Sequence, residues 1–280
     1  MIKRYSILPV FILMALVTSS VFGDVNDDLR KASREGKIKK VIRLVKKGAK
    51  VNSQNENGWS AIMEAAEFGR TKVIKYLLKK GANPNLQNKA NWTALMYTAD
   101  KGHLSATKAL IKGKADVNLR SVKNSHALLY AIIGGHTKVA EALILAGTDV
   151  NNQSEYRKVK GWSALLESCK QNNTKISLLL LKKKADPNLT SEKGFSPLMW
   201  AANRGNMTVV QALIKKGAKV NHKNKFDQTA LHQAAHKGQV KVARYLLKKG
   251  ADKTIKNFMQ ATALDVAVRK KDQKMINLLK

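Results

Sequence analysis

Two histidines and a cysteine are the residues best placed, by type and spacing, to do chemistry. His232 and His236 stand four apart, which puts two imidazoles on one face of a helix, as in a zinc pair. The residue after the first is Gln233, not the glutamate a zinc protease uses as general base. Cys169 is the only cysteine, so the chain can form no internal disulfide and no Cys-based zinc site. A nucleophilic thiol needs a paired base, and none is visible for Cys169. No Ser-His-Asp order, phosphate loop or carboxylate pair stands out. These residues assign no catalytic site, no metal and no cofactor. Sequons begin at Asn91, Asn172, Asn188 and Asn206. They matter only in a eukaryotic secretory pathway, and a chain rich in Asn and Lys produces them by chance.

The elements that would position these groups repeat. Ile62, Leu95 and Leu128 are 33 residues apart, as are Leu165, Leu198, Leu231 and Leu264, and one step back from Ile62 lands on Leu29. The step from Leu128 to Leu165 is 37, an insertion of four placed at Ser154-Glu155-Tyr156-Arg157. Within a unit, Asn57-Gly58 leads into Trp59-Ser60-Ala61-Ile62-Met63, a small pair Ala65-Ala66 follows, and Gly69 closes the segment. Val73-Ile74-Tyr76-Leu77-Leu78 then has the apolar spacing of one helix face. Gly69 and Gly81 stand where helix ends favour a left-handed residue. No such unit buries its own apolar face, so the units must stack.

These residues resemble the ankyrin repeat. Gly194-Phe195-Ser196-Pro197-Leu198 and Thr229-Ala230-Leu231-His232-Gln233-Ala234-Ala235 carry its opening, and Leu77-Leu78 to Asn85 its close. The resemblance runs from about Asp24 to the C-terminus. It implies an all-α solenoid of eight helix-turn-helix units, one domain over 24–280, with hairpin loops on one side and a concave binding face. In that pattern His232, His103 and His136 are structural positions, and Cys169 belongs to the buried small pair. Lys114 and Lys184 replace the glycine after the second helix, Asn172 the one between helices, and His126 the opening threonine. The middle of the array is therefore expected to be its least stable part. The charged first unit and the lysines of the last suit solenoid caps.

Aromatic residues follow the repeat. Trp59, Trp92, Trp162 and Phe195 share one position, and Tyr97, Tyr130 and Trp200 another. The resemblance puts both on the concave face, where they either anchor a partner or pack unit against unit. Lysine pairs such as Lys79-Lys80 end second helices, where cations are favoured. Lys89, Lys123, Lys160, Lys193 and Lys225 fall on hairpin tips instead, and the insertion adds Tyr156 and Arg157. A four-residue deletion there is expected to weaken partner binding and to leave thermal stability nearly unchanged, because loop closure costs little.

With 52 basic and 19 acidic residues in 280, the formal net charge is +33. Such a charge bears on partners rather than fold. Lys3 and Arg4, an apolar run from Ile7 to Val17 and Val21-Phe22-Gly23 have the layout of a signal peptide over 1–23, cut after Gly23. An uncleaved anchor is the competing reading, although the run is short for a span. The expectation is a monomeric protein exported to the periplasm or the medium. It would bind an acidic protein partner and no small-molecule substrate. The alternative is an anionic polymer or surface; nucleic acid is disfavoured, as no reading motif is present.

Overall fold

In the computed structural model of the chain, residues 24–280 are described; the expected signal peptide and its cleavage point lie outside them. Sixteen helices form eight antiparallel pairs among the described residues. In order they are α1 (Val25–Glu35) and α2 (Ile38–Lys46), α3 (Ala61–Glu67) and α4 (Thr71–Lys79), α5 (Ala94–Asp100) and α6 (Leu104–Lys112), α7 (Ala127–Ile133) and α8 (Thr137–Leu145). Then follow α9 (Ala164–Lys170) and α10 (Thr174–Lys182), α11 (Pro197–Arg204) and α12 (Met207–Lys215), α13 (Ala230–His236) and α14 (Val240–Lys248), α15 (Ala263–Arg269) and α16 (Gln273–Leu279). Among the described residues no helix is long and apolar enough to cross a membrane.

Helices of seven to eleven residues are marginal alone, so caps and stacking must hold them. Ser163 and Ser196 accept from the amides of Leu166 and Met199, and Pro197 stands at the first helical position of α11. Thr262 and Asp265 form a reciprocal capping box on α15. The repeated Ile62, Leu95, Leu128, Leu165, Leu198 and Leu231 are all buried, as are Ala65 and Ala66. The small pair lets the first helices of adjacent units approach closely. Lys114, Asn172 and Lys184 do take the glycine conformation, with φ of 62°, 61° and 65°.

Two ladders cross the unit boundaries. Asn52, Asn85, Asn118, Asn151, Asn188 and Asn221 each accept an amide from the turn of the following unit, for example Asn83 N to Asn52 Oδ1 at 2.8 Å. Asn52, Asn151, Asn188 and Asn221 also donate to the carbonyl of that unit's left-handed residue. On the opposite edge the hairpin tips share backbone bonds, running Lys89 N to Asn57 O, Val122 N to Ala90 O, Glu155 N to Lys123 O, Glu192 N to Lys160 O, Lys225 N to Lys193 O and Phe258 N to Phe226 O. These satisfy backbone groups that loops would otherwise leave to water.

The insertion lengthens the hairpin between the fourth and fifth units, as its spacing implies, and organises it as the one sheet among the described residues. Strands β1 (Gln153–Tyr156) and β2 (Val159–Ser163) pair antiparallel, with a bulge between Ser154 and Tyr156. Arg157 and Lys158 turn the chain with φ of 50° and 62°. That is the left-handed pair a two-residue hairpin favours. Gly161 follows at φ 75°, where a Cβ would lie 2.8 Å from Thr190 O of the next hairpin. The hairpin is tied down: Ser154 is buried and donates to Asn124 O, and Tyr156 meets Trp162. The expected neutrality of deleting it therefore gives way to a loss of packing, which loop-closure entropy does not count.

Candidate functional site

One ring position lies just before each first helix and the other in its first turn. Both fall on the same side of the unit, so rings of neighbouring units meet. Trp59 and Tyr97 are 4.6 Å apart between centroids, Tyr97 and Trp92 4.9 Å, and Trp92 and Tyr130 4.4 Å. A second ladder runs from Tyr156 through Trp162, Trp200 and Phe195 to Phe226 and Phe258, with spacings of 5.3–6.4 Å. Trp162 and Tyr97 are only 6% and 9% exposed and serve mainly to join units; Trp59, Trp92, Tyr130, Phe195 and Trp200 keep partly open faces. Burial pushes the Tyr97 phenol up to about 12, and its oxygen accepts from Asn88 Nδ2 at 2.7 Å.

The two ladders do not join. In the fourth unit the position of Trp59 and Trp92 is taken by Ser125, and in the fifth the position of Tyr97 and Tyr130 is taken by Glu167. Glu167 is buried and accepts from Trp162 Nε1 at 2.7 Å and from Gln171 Nε2 at 2.9 Å. Lys170 places its ammonium 5.0 Å from the Trp162 ring centroid, 5.8 Å from Tyr156 and 5.9 Å from Trp200. At the lapse lies a cleft of about 400 Å³ lined by Trp92, Tyr130, Ile133, Val122, Ser125 and Tyr156, with Asp100, Glu155, Lys123 and Arg157 among its polar groups.

The hairpin lysines Lys89, Lys123, Lys160, Lys193 and Lys225 are exposed, as is Arg157, whose guanidinium lies 5.2 Å from the Tyr156 centroid. Each of the five lysines contributes a backbone group to the hairpin ladder, so the cations stand in a row along one edge. The pairs ending α2, α4, α12 and α14 are also exposed, and no ion pair among the described residues uses them.

Of the groups singled out for chemistry, His232 and Cys169 are structural, while His236 is exposed at the end of α13. His232 Nδ1 meets the Thr229 amide and hydroxyl at 3.2 and 3.0 Å, and its Nε2 meets Ala261 O. No ring nitrogen is left for a metal. Among the described residues no cluster of three His, Cys, Asp or Glu could hold an ion. His103 and His136 bind backbone carbonyls of the preceding unit, those of Glu67 and Asp100. Cys169 is buried, and burial pushes its thiol up to about 12, far from a reactive thiolate.

Phe226, Phe258, Lys170 and Glu167 were not legible as site residues. Phe226 and Phe258 sit off the two ring positions, at 38% and 58% exposure. Lys170 reads as one lysine among many until the hairpin brings Tyr156 over it. The family model described as ankyrin repeats matches residues 29–121, 73–154, 128–224 and 198–280, which together span the repeats. No curated protein matches the chain.

Proposed function

The chain belongs to the ankyrin-repeat family, whose members are in general protein–protein interaction modules, and from that premise we propose that it is a non-catalytic, monomeric binding protein acting outside the cytoplasm. Its contact face comprises the first helices and hairpins, with the partly open rings of Trp59, Trp92, Tyr130, Phe195 and Trp200 as anchors. The observation that carries this reading is the pair of aromatic ladders on that side, because Trp and Tyr supply most interface energy. A net charge of +33 and the row of hairpin lysines favour an acidic protein. Export rests on the signal-peptide layout of residues 1–23, and mass spectrometry of the protein in its native cell should find Asp24 at the N-terminus. An intact Met1 in the membrane fraction would replace export with anchoring.

A second reading is supported by the lysine pairs at the ends of α2, α4, α12 and α14, which have no carboxylate partners among the described residues. Such a row suits an acidic glycan or an anionic lipid surface. Capture from native cell envelopes at low and high salt separates the two. A ring-anchored protein partner survives high salt, whereas a polyanion is released, because its binding rests on counterion release and screened charge. Capture of nothing at either salt sinks both.

A further inference from the structure

We propose that the cleft between the two aromatic ladders is a seat for one tryptophan side chain of the partner, presented from an acidic segment. The proposal rests on the protein-binding reading and adds the place and chemistry of the anchor.

The cleft exists because a ring is missing. Units two, three, five and six place Trp59, Trp92, Trp162 and Phe195 at one position; the fourth places Ser125 there. The ladder therefore stops at Trp92 and Tyr130, 4.4 Å apart, and resumes at Tyr156 and Trp162, 6.1 Å apart. Trp92 and Tyr130 from the first ladder and Tyr156 from the second all line the cleft, together with Ile133, Val122 and Ser125. Tyr156 reaches this place only because the four-residue insertion carries it there on β1. A volume of about 400 Å³ takes an indole with room for its backbone. Inside each ladder a ring meets rings on both sides, so an incoming ring would extend the stacking pattern of the chain itself.

The polar groups select among aromatic side chains. Glu155 lines the cleft, takes part in no ion pair among the described residues and stands beside Tyr156. It repeats, for a guest, the role Glu167 plays for Trp162, whose indole N–H donates to the carboxylate at 2.7 Å. Phenylalanine has no such donor. Asp100, the other acidic lining group, is paired with Lys101 at 3.0 Å. Around the mouth, Lys123 and Arg157 line the opening and Lys89, Lys158 and Lys160 are exposed on the adjoining hairpins. These cations favour acidic residues on either side of the anchor.

The test uses the purified chain and a synthetic peptide, Glu-Glu-Gly-Trp-Gly-Glu-Glu, carrying 5-fluorotryptophan and followed by fluorine NMR. The labelled peptide should bind saturably. The unlabelled tryptophan peptide should displace it, the phenylalanine version should do so at least fivefold less well, and the alanine version should not. Ser125→Trp, which fills the rung with the residue other units carry, and Tyr156→Ala, which removes a half-buried ring packed against Trp162, should each weaken binding at least tenfold with helix content unchanged. Absence of saturation, or displacement by alanine as effective as by tryptophan, overturns the proposal on the unaltered protein alone. If a captured partner binds Ser125→Trp as tightly as it binds the unaltered chain, the cleft is not its anchor, while the binding reading stands.

Discussion

The indole of Trp162 donates to Oε2 of Glu167 at 2.7 Å, and this bond lets a buried carboxylate stand where neighbouring units carry Tyr97, Tyr130 and Trp200. The other oxygen, Oε1, accepts from Gln171, and Lys170 Nζ lies 3.8 Å from Oε2. Replacing Glu167 by alanine strands a buried indole N–H and leaves a void. The expected cost is about 2–3 kcal/mol in a urea melt. Glutamine, which keeps an oxygen to accept the indole proton, should recover more than half of that loss.

Lys170 is held over three ring faces on the first-helix side of the fifth unit. Lys170→Ala should cost about 1 kcal/mol. It should also free the inserted hairpin locally, because Tyr156 loses the cation that ties it to Trp162. Limited trypsin digestion reads this directly: cleavage after Arg157 or Lys158 should speed up several-fold in the variant while the other fragments appear at unchanged rates.

Lys114 and Lys184 occupy left-handed backbone at φ 62° and 65°. A β-carbon costs roughly 1–2 kcal/mol there, partly offset by the unfolded-state freedom that glycine adds. Lys114→Gly and Lys184→Gly should each raise stability by about 0.5–1 kcal/mol in urea. Asn172→Gly should gain less. Asparagine tolerates this conformation, and its Oδ1 accepts from Asn206 Nδ2 at 2.6 Å, a bond the glycine loses.

His126 is 2% exposed, with Nε2 against Asp149 O at 2.8 Å and a buried Nδ1 that has no partner among the described residues. Burial holds its pKa below the ordinary histidine value of 6.5, and that of His232 likewise. The folded state therefore resists a proton that the unfolded chain accepts. Stability is full above pH 6.5 and falls as the pH drops below it, until the folded-state pKa values are passed. Urea midpoints at pH 7.5 and 5 should show this loss. His126→Thr, which installs the capping residue of Thr93 and Thr229, should make the loss smaller.

The 33-residue period laid out the eight helix pairs because each apolar mark recurs on the same face, and it predicted the left-handed backbone at Lys114, Asn172 and Lys184. Asn91, Asn124, Asp227 and Gln260, at φ 53–56°, stand at the repeat position of Gly58, Gly161 and Gly194, so the same count marks them, although polar residues at a hairpin tip do not stand out as departures. Lys271, at φ 57°, stands in the same way at the position of Gly69, Gly102, Gly135, Gly205 and Gly238. The ring positions could be located, but not the lapse between the ladders. That lapse depends on residues conspicuous only in three dimensions: Ser125 where a ring is missing, and Tyr156, whose place depends on how an inserted hairpin bends.

The asparagine bonds all point one way. Lys50 N is held by Asn26 Oδ1, and thereafter each turn is held by the asparagine of the unit before it, through to Asp252 N on Asn221. A finished unit thus offers a ready template to the next, whereas a unit lacking its predecessor must form its turn unaided. Synthesis runs in the same direction, so each turn finds its acceptor already in place as its unit docks.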